Sequence, residues 1–343
     1  MRAAVLHGKE DVRVETVSER ALAAGEVRVR IRAALTCGTD LKVFKRGYHA
    51  RMLVPPTVFG HELAGEVCEV SPEAAGLFSL GDRMVAANSA PCGECFCCKA
   101  GQPNLCDDLL FLNGAYAQSI VVPRRIVEKN LLKLRPETAF RDAALTEPLA
   151  CVVQGVHDLK LRPDERVLVI GAGPIGLMFV ALAKAAGCEV TVAGRGENRL
   201  AKASSLGASA VVVIGADGDA LTPCKRSGRT FDVVIEAVGK PECWAAAAQL
   251  VRKGGRVNFF GGCPSGASVH LDTGLIHYSN LILLASFHHT PTAIREALSW
   301  IERGVIRASD FVDADCALTE LPELFRGMAS GNRAVKTFID VAS

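Results

Sequence analysis

Hydrophobic and polar positions fall into two textures along the chain. From the first residue to about residue 150, apolar residues form short strand-length runs at 2–6, 27–34, 63–70, 83–87 and 117–123. Gly, Pro and Asn punctuate these runs, a pattern that predicts a largely β domain with long loops. After Pro163 the texture changes, and apolar runs at 167–170, 189–193, 210–214, 233–237, 256–260 and 281–285 alternate with helical stretches. Two of the helices, 175–186 and 199–206, are closed by Gly187 and Gly207. That alternation predicts an α/β unit whose parallel sheet is buried on both faces by helices. The last fifty or so residues carry helices at about 292–303 and 321–329 and a closing strand at 336–341. The tail is expected to return to the first domain, so that 1–150 and 288–343 form one domain and 151–287 an insertion.

Composition narrows the class. The 343 residues are 49% hydrophobic and 22% charged, which suits two packed domains and not a disordered chain. Lys and Arg total 39 against 37 Asp and Glu, a formal charge of +2, so no broad cationic field exists to bind nucleic acid or an anionic membrane. No apolar run reaches the roughly 18 residues of a membrane span, and charge enters the first fifteen residues too early for a signal peptide. A cytoplasmic protein is expected. In a reducing compartment the 13 cysteines are better explained by metal where clustered and by packing where scattered.

Four of them, Cys92, Cys95, Cys98 and Cys106, stand in PCGECFCCKAGQPNLC, an array with spacings of two, two and seven residues among Gly, Pro and Asn turns. Such a loop can wrap four thiolates around a structural zinc ion, which needs no open coordination position. Cys97 is a fifth cysteine in the array and is read as a spare.

A second constellation is scattered. Cys37 lies in TCGTD after an apolar strand, His61 and Glu62 in FGHELAGEV, and Glu147 in ALTEPLAC at the end of the first domain. Thiolate, imidazole and carboxylate together would leave one tetrahedral position open, as a catalytic zinc requires. Cys151, one helical turn beyond Glu147, is the rival third ligand. Glu62 is either an exchanging ligand, a residue that orients His61, or an exposed carboxylate at a strand end. Asp40 is the expected acceptor for the second ring nitrogen of His61.

In VLVIGAGPIGLMFVALAKAAG, Gly171, Gly173 and Gly176 follow a buried strand and open a helix, the setting that makes G-x-G-x-x-G a dinucleotide fingerprint. With Pro174 and Ile175 they form the candidate pyrophosphate loop for NAD or NADP. At the end of the next strand, where an acid would accept from the ribose, stands Gly194, followed by Arg195 and, one turn later, Arg199. Guanidinium groups there predict a preference for NADP over NAD, unless both merely solvate a helix start.

GHELAGEV, the cysteine loop, EPLAC, the strand-turn-helix and the closing KTFIDV together resemble the zinc-dependent medium-chain dehydrogenases, especially their sorbitol, or polyol, dehydrogenase branch. The resemblance covers almost the whole length. It implies a GroES-like catalytic domain built from both chain ends and an inserted Rossmann domain. It further implies catalytic zinc on Cys37, His61 and Glu147 with Glu62 nearby, and structural zinc on Cys92, Cys95, Cys98 and Cys106. The implied reaction is reversible oxidation of a secondary hydroxyl on a polyol, sugar or cyclitol, with hydride leaving a zinc-bound alkoxide. Thr39 matches the residue that begins the family's proton relay. Lys42 occupies the place of a later relay histidine, leaving His49 or water to continue it. A threonine-type or simple secondary-alcohol dehydrogenase is the alternative within the family, and an NADP-binding sensor or structural protein is the alternative outside enzymes. A homo-oligomer, tetramer or dimer, is expected by analogy. Phe44, Tyr48, Phe59, Phe111, Tyr116 and His288 are candidates for either pocket wall or core.

Overall fold

The computed structural model describes residues 1–49, 51–215, 221, 224, 230–331 and 334–343. Two compact units emerge, one made of Met1–Ala150 with His289–Ser343 and the other of Cys151–His288. No helix among the described residues is long and apolar enough to cross a membrane, and no disulfide links the cysteines.

The first unit is mainly β. Its central sheet runs Leu131–Lys133, Arg83–Ala86, Glu62–Val70, Val27–Leu35, Lys336–Asp340 and Val312–Ala317, with Ser119–Val122 also pairing to Val27–Leu35. A smaller sheet joins Asp11–Thr16, Arg2–Gly8 and Thr57–Val58. Because Lys336–Asp340 pairs antiparallel with Val27–Leu35, with Phe338 opposite Leu35, the two chain ends build one sheet. The core is a ring cluster. Phe325, on the helix Leu321–Ala329, sits 5.3 Å from Phe59, 5.5 Å from Phe44 and 6.1 Å from Tyr116, centroid to centroid. All four rings are fully buried, so Phe44 and Phe59 belong to the core and the Tyr116 ring with them. Tyr48, by contrast, is exposed.

The second unit holds a six-stranded, wholly parallel sheet. Its spatial order is Ala210–Val213, Glu189–Gly194, Arg166–Ile170, Phe231–Glu236, Val251–Phe259 and Ile282–Leu284. In chain order this is 3-2-1-4-5-6, the doubly wound arrangement in which the direction of winding reverses beside the first strand. The expected α/β unit is therefore present, and its six strands lie where the apolar runs placed them. Val167–Ile170 are fully buried, as strands covered on both faces must be.

Candidate functional site

The register of the central sheet gathers one constellation. Leu35 pairs with Glu62 and Phe338 with Leu35, so Cys37, just beyond one strand, meets the start of a second and the start of the C-terminal strand. The ligand atoms of Cys37, His61 and Glu62 lie within 4.8 Å of one another. Cys37 is the N-cap of the helix Gly38–Arg46, and its sulfur accepts the Thr39 N–H at 3.4 Å. Lys45 and Arg46 in the last turn and Gly47, at φ 87°, close that helix.

His61 is held from behind. Its Nδ1 lies 2.9 Å from Asp40 Oδ1, and because a carboxylate only accepts, Nδ1 donates and Nε2 is left for a metal. The phenol of Tyr116 donates to the other oxygen, Asp40 Oδ2, at 2.6 Å and lies 3.1 Å from Leu35 O. Burial alone would lower the His61 pKa, but Asp40 and the Cys37 sulfur outweigh it and raise it well above the ordinary value. Gly60 explains the residue before His61. Its φ is +88°, and a Cβ there would stand 2.7 Å from the Tyr116 ring.

Glu62 departs from the exposed-carboxylate alternative, being 0% exposed. Its carboxylate pairs with Lys336, whose Nζ lies 2.6 Å from Oε1, also reaches Oε2, and donates to Thr36 O at 2.9 Å. The paired cation is what permits a carboxylate in so dry a place. Glu147, in the first turn of Thr146–Leu159, is also buried, but it stands outside the Cys37, His61 and Glu62 group. Burial raises its carboxyl to about 7, with nearby His61 pulling it down. His289 Nε2 lies 3.9 Å from Glu147 Oε1 and 2.9 Å from Asn88 Oδ1. Cys151 follows on the same helix, four residues later and half-buried. His49 accepts the N–H groups of Arg51 and Met52 at Nδ1, so that nitrogen braces its own loop.

The four-cysteine loop closes as a second cluster. The sulfurs of Cys92, Cys95, Cys98 and Cys106 lie within 4.8 Å of one another, and Cys97 is not among them. Cys92 and Cys98 are 3.9 Å apart, close to the ~3.8 Å edge of a tetrahedron with 2.3 Å zinc–sulfur bonds. The N–H groups of Glu94 and Cys95 point at Cys92 Sγ, each at 3.3 Å, and lower its pKa to about 6. Four sulfurs at this spacing suit a structural zinc ion.

In the second unit the glycine loop divides its labour. Gly171 has φ +114°, and a Cβ there would come within 2.9 Å of Val238. At Gly176 a Cβ would fall 1.9 Å from Gly171 O, so strand and helix approach through that glycine. A Cβ at Gly173 would meet nothing within 4 Å. The open space lies where Gly173 caps the helix Pro174–Ala185 without a side-chain cap, leaving its first N–H groups for an anion such as pyrophosphate. A side chain at Gly194 would collide with Ala172 at 2.6 Å, so packing against the loop is a further reason for the missing acid. Arg195 is exposed and Arg199 half-buried.

The chain is similar to known proteins over almost its whole length. Residues 23–132 match the alcohol dehydrogenase GroES-like domain and residues 174–303 the zinc-binding dehydrogenase family. Erythritol/L-threitol dehydrogenase of Mycolicibacterium smegmatis is 31% identical over 98% of this chain and 96% of its own. D-altritol 5-dehydrogenase of Agrobacterium fabrum is 35% identical over 82% of each. A crystal structure from Sinorhizobium meliloti, described as a zinc-binding dehydrogenase bound to NADP, is 27% identical, covers 98% of both chains and superposes with a TM-score of 0.86. The chain belongs to the zinc-dependent medium-chain dehydrogenase family, in its polyol branch. It is an enzyme of NAD(P)-linked secondary-alcohol oxidation.

Sequence reasoning had Asp40 but missed Lys336 and the Tyr116 hydroxyl. Neither carries a local signal, since a lysine opening a strand and a tyrosine in a loop are ordinary until the sheet register places them.

Proposed function

We infer that the chain oxidises a secondary hydroxyl of a polyol, sugar or cyclitol to a ketone, preferring NADP, with one catalytic and one structural zinc ion. The observation that carries this is the meeting of half-buried Cys37 with buried His61 and Glu62, backed by Asp40, in the unit matched by the GroES-like family model. In this reading Cys37, His61 and Glu147 hold the catalytic ion, with Glu62 beside them, and Cys92, Cys95, Cys98 and Cys106 hold the structural one. When bound, zinc supplies Lewis acidity that makes a hydroxyl acidic near neutral pH, and the nicotinamide accepts hydride.

The chain's own residues supply position and proton handling. The Thr39 hydroxyl, on the first turn after Cys37, takes the substrate proton. Asp40 fixes the His61 ring so that Nε2 points at the ion. Gly171, Gly173, Pro174, Ile175 and Gly176 seat the pyrophosphate at the helix start. Arg195 and Arg199, which follow Gly194, pair with the phosphate on the NADP ribose. The NADP held by the Sinorhizobium relative supports that preference.

The test is a screen of polyols, cyclitols, L-threonine and simple secondary alcohols with each coenzyme, with metal content measured alongside. Two zinc ions per chain and turnover of polyols with NADP are expected. One zinc ion and no turnover would refute the catalytic reading. Arg195→Asp is expected to swing the ratio of kcat/KM values toward NAD, and an unchanged ratio would remove the coenzyme assignment.

The proposal extends to a cytoplasmic homo-oligomer, dimer or tetramer. The absence of disulfides and the exposed Ile282, Tyr278 and Phe287 around the edge strand Ile282–Leu284 support it. Sedimentation of the full chain as a monomer would remove the oligomer.

A further inference from the structure

We propose that Glu236, a buried carboxylate in the second unit, is a positioning residue for the coenzyme: it holds the loop 237–239 against the glycine turn, and does so for NADP and NAD alike. The inference rests on the reading of 171–176 as the coenzyme loop and goes beyond it to a residue outside that loop.

Glu236 ends Phe231–Glu236, the fourth strand of the parallel sheet, and its register partner is Ile170, the last residue of the first strand. These two strands flank the point where the winding reverses, and sheets of this kind bind ligands beyond the carboxyl ends of their strands at that point. Glu236 is nevertheless 0% exposed, so its carboxylate needs donors in place of water. Among them are two successive main-chain N–H groups. Val238 donates to Oε1 at 2.9 Å, and Gly239 to Oε1 at 3.0 Å, with Oε2 at 3.2 Å from the same nitrogen. Gly261 makes room for the carboxylate, since a Cβ there would stand 2.7 Å from Oε2.

The main chain around Glu236 ties the neighbouring strand ends together. Ala237 N–H donates to Ile170 O at 2.9 Å, and the carbonyl of Glu236 accepts from Phe260 at 3.0 Å and from Gly261 at 2.8 Å. The loop fixed in this way presses on the glycine turn. A Cβ at Gly171 would come 2.9 Å from Val238 Cγ2 and 3.3 Å from Ala237 O, while Val238 keeps 37% of its surface exposed. Charge-assisted bonds to consecutive peptide groups hold both planes in one orientation. Without the carboxylate, Val238 and Gly239 lose that acceptor, and binding of the coenzyme has to order the loop as well as occupy the site. The effect falls at the glycine turn, which serves both coenzymes, and not at Arg195 and Arg199.

The experiment measures the dissociation constants of NADP and NAD for the full-length chain by titration calorimetry, together with the melting temperature of the coenzyme-free protein, in the unaltered chain, Glu236→Gln and Glu236→Leu. Glu236→Gln keeps an oxygen for the two N–H groups but loses the charge, and each Kd is expected to rise about threefold. Glu236→Leu loses both oxygens, and each Kd is expected to rise about 30-fold, by the same factor for the two coenzymes. Packing alone predicts a lower melting temperature with Kd unchanged, and that result would overturn the proposal. A loss confined to NADP would overturn it too, since it would locate the effect at the ribose phosphate. If Glu236→Leu does not fold, Glu236→Gln decides by its Kd values, and values equal to those of the unaltered chain refute the positioning role. An unaltered chain that binds neither coenzyme would instead refute the coenzyme loop, and this inference with it.

Discussion

Single residues set the chemistry through their surroundings. Asp40 accepts from His61 and from Tyr116, so Asp40→Asn is expected to weaken metal binding at the Cys37 and His61 site by about 10- to 100-fold, measured by competition with a chromophoric chelator. An unchanged affinity would remove the orienting role. Gly60 has both a left-handed backbone and a ring against its missing side chain, so Gly60→Ala is expected to cost about 1–3 kcal/mol in urea unfolding. Glu147 makes a pH prediction. Burial, the largest cause, raises its carboxyl from 4.5 to about 7 in the metal-free chain. An acid raised in this way contributes stability that is complete below the unfolded value and is lost as pH rises through about 7. Metal-free protein should therefore melt lower at pH 8 than at pH 6. Glu147→Gln should flatten that difference, and an equal slope in the variant would show that another group is responsible.

At the scale of elements, the strand-turn-helix of the second unit separates packing from binding. A Cβ at Gly176 would strike Gly171 O at 1.9 Å, whereas one at Gly173 would meet nothing. Gly176→Ala should lower the melting temperature with or without coenzyme. Gly173→Ala should leave the free protein's melting temperature alone and abolish the stabilisation that NADP gives the native chain. Equal losses of free-protein stability in the two variants would contradict the open cradle. Elements also show where a short alternation is too weak to stand out. Val312–Ala317 (VDADCA) and Asp11–Thr16 (DVRVET) alternate apolar and polar residues at the edges of their sheets, and each has a single buried residue, Cys316 and Val12. Six-residue edge strands of small and charged residues carry less apolar signal than strands covered on both faces, and neither was foreseen. The six parallel strands, covered on both faces, were.

The molecule as a whole depends on its two ends meeting. Lys336–Asp340 lies between Val27–Leu35 and Val312–Ala317 and carries Lys336 to Glu62. Removing residues 335–343 should leave an insoluble or unfolded chain, checked by circular dichroism and solubility. A folded truncated protein would show the strand to be dispensable.

What the sequence determined by itself was chemistry confined to short segments. The cysteine array, the glycine loop and the alternation of parallel strands with helices are local, because a turn, a helix start or a doubly covered strand imposes its residue types on neighbours in the chain. Cys37, His61 and Glu62 were visible as donors, but only as separate motifs. Tertiary structure decided their meeting, the Tyr116 link to Asp40 and the hold of Lys336 on a residue 274 positions away. It also assigned Phe44 and Phe59, which the sequence left open between pocket wall and core, to the core. Such contacts are fixed by sheet register and by the satisfaction of buried charge, and both are properties of the assembled fold that no stretch of chain expresses alone.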